Sequence, residues 1–131
     1  MRVMTCNTQA RSNFMNCEIR CFEWTDIDRY LEQIINMQLE NIYEFHYPEK
    51  KPNRDYVKQD ILELEENLKK GNTYFVGATQ KGRLYGYIWC YEKMFIDEKR
   101  MSINSLFVYE EARGKGLGQL LMTEIKKRMS R

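Results

Sequence analysis

Near the end of the chain, Arg113-Gly114-Lys115-Gly116-Leu117-Gly118-Gln119 sets three glycines at alternate positions among two cations. A helical pattern follows at once: Leu117, Leu121, Ile125 and Met129 recur on one face, with Leu120 beside it. Glycine lets a backbone approach a ligand without a side chain in the way. A helix N-terminus adds unpaired N–H groups and partial positive charge, which together attract phosphate. Hydrogen bonds to a charged group contribute about 1.5–3 kcal/mol each. A micromolar ligand needs about 8 kcal/mol in all, so a few such bonds supply much of it. The chemistry written in this stretch is anion binding. The plainer alternative is a glycine-rich turn with solvated cations.

Two common phosphate motifs do not fit. The Walker A loop needs two glycines separated by four residues, then Lys and Ser or Thr; the spacing here is wrong and no hydroxyl follows Lys115. The dinucleotide fingerprint G-x-G-x-x-G needs its third glycine one residue later than Gly118. It also needs a βαβ unit, and thirteen residues remain after Gly118.

The elements that must position this loop are legible from periodicity. Cys17 to Glu23 reads as a strand. Ile27, Tyr30, Leu31, Ile34, Ile35, Met37 and Ile42 recur at helical spacing, with Thr25 as the expected cap and Asp28 three residues on. Two prolines end that helix. Val57, Ile61, Leu64 and Leu68 mark a second helix, capped by Asn53 and stopped by Gly71. TYFVGATQ, RLYGYIWCYEKMF and MSINSLFVY are rich in β-branched and aromatic residues and read as three antiparallel strands. Lys81-Gly82 is the first turn between them and the charged run Asp97 to Arg100 the second. The order is β-α-α-β-β-β-loop-α, an α+β class with a mostly antiparallel sheet.

Composition narrows the function classes. The 131 residues suffice for one domain, and 21 basic against 19 acidic residues leave a net charge of +2. That balance gives no reason to expect a nucleic-acid partner. The cations Lys126, Lys127, Arg128 and Arg131 suit a helix C-terminus. No apolar run approaches a membrane span, and residues 1–16 lack the apolar core of a signal peptide. They are expected to form a polar leader, a candidate for disorder, ahead of one domain over 17–131. A cytoplasmic location is expected, with no membrane partner. Cys17 and Cys21 lie four apart on a strand, ~13 Å, too far for one zinc ion or one disulfide. No metal site is expected, since His46 is the single histidine.

The loop and its approach, LFVYEEARGKGLG, resemble the GNAT superfamily of acetyl-CoA-dependent N-acetyltransferases, whose signature is R/Q-x-x-G-x-G/A between the fourth strand and third helix. Arg113 to Gly118 match it fully, and the element order agrees from Cys17 to Arg131. The resemblance implies acetyl-CoA as cofactor, its pyrophosphate held by Arg113, Gly114, Lys115, Gly116, Leu117, Gly118 and Gln119. Leu106, Phe107 and Val108 would pair their backbone with the pantetheine arm, and an N–H of that strand would face the thioester oxygen. The implied reaction is direct attack of a primary amine, from a small molecule or a peptide, on the thioester.

Catalytic residues are less sharply indicated. Where many of these enzymes carry a glutamate on the fourth strand, this chain has Asn104, which is no base at neutral pH and suits positioning of water or substrate. A polar residue on an open strand face is the plain alternative. Glu92, Glu110 and Glu111 are further carboxylates near strand ends. Tyr43, Phe45, His46 and Tyr47 crowd beside a loop where, by the resemblance, the acceptor enters; His46 titrates near 6.5 and is a candidate base. Ordinary packing at a helix end is the alternative. The family's further strand, helix and hairpin are expected to be missing after the third helix, which leaves the fourth strand an open edge and a homodimer through it as the expected partner. Three readings of that end stay open: a fragment, a second copy completing the edge, or a naturally reduced form. A non-catalytic acyl-CoA-binding module is the alternative function.

Overall fold

The computed structural model describes residues 2–5, 16–45 and 53–129. Strands β1 (Arg2–Thr5), β2 (Glu18–Cys21), β3 (Thr73–Gln80), β4 (Arg83–Phe95) and β5 (Glu98–Val108) form one sheet in chain order, every neighbouring pair antiparallel. Helices α1 (Trp24–Arg29), α2 (Leu31–Phe45) and α3 (Arg54–Lys70) lie between β2 and β3 in sequence, and α4 (Leu117–Met129) follows β5. The α+β class and the antiparallel sheet are as the sequence predicts.

Side-chain alternation along the strands builds two cores. On one face Phe22, Phe75, Tyr87, Trp89 and Phe107 pack against Ile27, Ile34, Ile35, Val57, Ile61 and Leu64 from the first three helices. Phe22, Phe75, Tyr87 and Phe107 run as a row of rings with successive centroids 5.0, 5.0 and 6.5 Å apart. Gly77 lets the row close, because a Cβ there would lie 2.8 Å from the Phe22 ring. On the other face Leu117, Leu121 and Ile125 of α4 pack on Ile19, Val76, Ala78, Ile88 and Cys90.

The local signals hold in part. Asn53 Oδ1 accepts from the N–H groups of Asp55 and Tyr56, at 2.8 and 3.2 Å. Gly71 ends α3 at φ +87°, and Lys81-Gly82 forms the β3–β4 turn. Four expectations change. The first strand is shorter, Glu18–Cys21. The cap of the first helix is Glu23 in a capping box with Asp26, not Thr25, which is already helical. Tyr30 separates α1 from α2, so the long helix is two. The β4–β5 turn is Ile96-Asp97, at φ +48° and +61°, and Glu98–Arg100 already belong to the strand. Within the expected polar leader, Arg2–Thr5 pairs antiparallel with β2 as an edge strand.

Candidate functional site

β5 delivers the chain to the glycine loop. Phe107 is buried in the aromatic row, Leu106 is exposed and Val108 half-buried. The Tyr109 N–H then donates to the Tyr85 carbonyl at 2.9 Å, and one 3-10 turn, Glu110–Ala112, sinks Ala112 into the core. Arg113 folds back: its Nε donates to the Val108 carbonyl at 2.7 Å and its guanidinium lies 5.4 Å from the Phe107 ring centroid.

The loop itself needs its glycines. Gly114 and Gly116 sit at φ +76° and +86°, a region that side chains strain to adopt. A Cβ built on Gly114, Gly116 or Gly118 would meet nothing within 4 Å, so this backbone lies open to whatever approaches. Leu117, only 4% exposed, anchors the first turn of α4. The first helical hydrogen bond runs from the Leu120 N–H to the Gly116 carbonyl at 3.1 Å. The N–H groups of Leu117, Gly118 and Gln119 therefore stand ahead of the helical ladder. Lys115 is half-buried beside them. An open glycine backbone, three N–H groups, a helix dipole and a nearby lysine are features whose chemistry suits an anion.

β5 pairs with β4 alone among the described residues, so its outer edge presents backbone N–H and carbonyl groups. Its register slips once. Trp89 pairs with Ser105 and Cys90 with Ile103, which leaves Asn104 as the extra residue of a bulge. Asn104 is exposed, while Ser105 is buried and donates its hydroxyl to Asn104 Oδ1 at 3.0 Å.

A cluster below the loop fixes its entrance. Arg83 pairs with Glu111 and stacks over the rings of Tyr85 and Tyr109, 4.4 and 5.2 Å to the centroids. Glu40, Tyr109, Glu110 and Glu111 line an open cleft of about 540 Å³. Burial, with Glu40 nearby, raises the Tyr109 phenol above its ordinary value, so it stays a neutral hydroxyl. Glu92 lies away from this cluster, 3.9 Å from Lys99.

The loop is legible in the sequence; Ser105, Arg83, Tyr109 and the buried Gln38, which accepts from the Tyr87 hydroxyl, are not. The Tyr and Gln positions keep helix and strand periods and carry no separate signal; a bulge has no composition signal at all. Tyr43 and Phe45 belong to the last turn of α2. His46 and Tyr47 lie outside the described residues. Among the described residues no group of three His, Cys, Asp or Glu side chains is placed to hold a metal ion. No helix of the described residues is long and apolar enough to cross a membrane.

Residues 31–131 match the family model of the acetyltransferase (GNAT) family. The chain belongs to the GNAT acetyltransferase family. Solved acetyltransferase structures agree in fold. A possible acetyltransferase from Clostridium difficile 630 superposes with a TM-score of 0.70 at 20% identity, covering 88% of this chain and 72% of that one. A GNAT family acetyltransferase from Staphylococcus aureus gives 0.62 at 16%, covering 86% and 77%. The PaiA N-acetyltransferase from Thermoplasma acidophilum, in complex with coenzyme A, gives 0.60 at 19%, covering 88% and 73%. None of the curated proteins compared matches the chain.

Proposed function

We propose that this GNAT chain transfers the acetyl group of acetyl-CoA to a primary amine of a small molecule or peptide, by direct attack on the thioester. The observation that carries this reading is the loop: Gly114 and Gly116 in left-handed backbone, and three N–H groups ahead of the α4 ladder, at the end of an edge strand. These residues fit a diphosphate. The open space at Gly114, Gly116 and Gly118 admits one, and the N–H groups of Leu117, Gly118 and Gln119 with Lys115 supply donors and charge. Arg113 contributes mainly by holding Val108 and the loop in place. Leu106, Phe107 and Val108 offer the outer edge of β5 to an extended pantetheine arm; Phe107 does so through backbone alone, its ring being in the core.

Acetyl-CoA, when bound, supplies an activated acetyl thioester. The chain's residues then hold the diphosphate, align the arm along β5 and present the bulge at Asn104 to the reacting end. Taking the proton of the attacking amine needs a base, and Asn104 is none; His46 is the candidate, with Tyr43, Phe45 and Tyr47 as acceptor-side neighbours. The same outer edge of β5 suits pairing with a second copy, and a cytoplasmic location suits the cofactor.

The test is release of CoA thiol from acetyl-CoA across a panel of primary amines, with acetylated product identified by mass spectrometry. Gly116→Glu places a side chain at φ +86° and a carboxylate in the anion cradle. It is expected to abolish cofactor binding and turnover together. A Gly116→Glu protein that binds acetyl-CoA as well as the parent contradicts the loop assignment. A second reading, a non-catalytic acyl-CoA-binding module, draws on Asn104 standing at the bulge in place of a carboxylate. Binding without turnover over the whole panel favours it; one acetylated product eliminates it.

A further inference from the structure

Ser105 is the polar side chain among the aromatic residues that β4 and β5 place on the α1–α3 face. It pairs with Trp89 across the strands, and Phe107 is the next residue of β5 on that face. It is 7% exposed. A hydroxyl in such surroundings is costly unless it is hydrogen-bonded, and its partner is the side chain of its own neighbour: the hydroxyl donates to Asn104 Oδ1 at 3.0 Å. Asn104 is the extra residue of the bulge, with no cross-strand partner to hold it. Its carboxamide has one acceptor end and one donor end. With the oxygen engaged by Ser105, the NH2 is the end left to present outward.

We infer that Ser105 is a positioning residue that locks the Asn104 carboxamide with its NH2 outward, making Asn104 a hydrogen-bond donor to the thioester oxygen as charge develops there. This rests on the acetyl-CoA reading and assigns Asn104 the role of a donor. The proton of the amine goes elsewhere; Asn104 gains and loses none. It also explains why an amide is suited to this place. A carboxylate would offer only acceptors to the same oxygen.

The experiment is isotope-edited infrared spectroscopy of acetyl-CoA labelled with ¹³C at the thioester carbonyl, bound to the full chain and to Asn104→Ala, Ser105→Ala and Ser105→Thr, with calorimetric affinity for each. The parent is expected to lower the carbonyl stretch relative to free acetyl-CoA. Asn104→Ala removes that lowering, Ser105→Ala weakens it, and Ser105→Thr, which keeps the hydroxyl, restores it, with cofactor affinity held within about twofold. Where an amine is turned over, Asn104→Ala is expected to lower kcat by about 100-fold, and Ser105→Ala to have no further effect in the Asn104→Ala background. Asn104→Asp is expected to lower kcat as well; a rise would mean the position serves a base and overturns the assignment. Asn104 is exposed, so its variants keep the fold even where a Ser105 variant does not. If the parent binds no acetyl-CoA, the cofactor reading falls and this assignment with it. If it binds and the stretch is the same in parent and Asn104→Ala, this assignment alone falls.

Discussion

Asp26 links three pieces of chain. Its Oδ2 accepts from the Glu23 N–H at 2.9 Å, closing the capping box of α1, and its Oδ1 accepts from Arg20 Nη2 at 3.0 Å. Both charged side chains are under a tenth exposed. Removing one partner of a buried pair costs about 3–5 kcal/mol, because the other charge stays in the interior. Asp26→Ala is therefore expected to lower stability in urea by about 3 kcal/mol; a change below that of an ordinary surface substitution would show the pair to be well solvated. Cys90 makes a pH-dependent contribution. Burial raises its thiol from the ordinary 9.0 to about 11. Below 9.0 both folded and unfolded thiols are neutral. Above it the unfolded chain loses its proton first, so this contribution is lost as pH rises from about 9 to about 11. Its size is at most about 2–3 kcal/mol. Cys90→Ala is expected to flatten the alkaline decline measured by urea denaturation between those values; an unchanged slope contradicts it. Among single residues, Asn53 and Gly71 are legible because a cap and a stop are local events. Glu23 is not, since Thr25 offers the better capping side chain and only the direction of the chain leaving β2 decides between them.

At the scale of elements, the β4–β5 hairpin is the least supported. Thr73, the first residue of β3, pairs with Tyr91. The Glu92 N–H still donates to the Asn72 carbonyl at 2.9 Å; beyond it the arm from Lys93 to Arg100 has ladder bonds only between its own two strands, and Met94, Phe95 and Ile96 are exposed. A two-stranded ribbon alone is marginal in water. Amides from Lys93 to Met101 are expected to exchange with deuterium much faster than those from Tyr87 to Cys90; equal protection would mean that something further covers the arm. The same isolation explains the misplaced turn. With water on both faces the strand needs no apolar alternation, so Glu98-Lys99-Arg100 reads as a loop. β1 is hidden for a related reason: four residues on a sheet edge carry too short a pattern to identify. The bulge at Asn104 is a slip of register, and register belongs to a pair of strands rather than to one sequence.

For the whole molecule, five strands in chain order put three helices on one face and α4 on the other, and among the described residues β5, with the glycine loop at its end, is an edge strand. Apart from β1, the order of these elements is legible because periods of two and of 3.6 alternate along the chain, and because strand, glycine turn and helix must be adjacent for the loop to exist. The partners of the loop are not legible in this way. Arg83 and Tyr85 of β4 meet Tyr109 and Glu111 of the turn after β5 through contacts that only the folded sheet creates. That the loop holds a diphosphate of coenzyme A is tested most directly by calorimetric titration of the purified chain with acetyl-CoA, with ATP as the control. Micromolar binding of acetyl-CoA and little or none of ATP is expected. A folded chain that takes up no acetyl-CoA, or takes up ATP equally well, contradicts it.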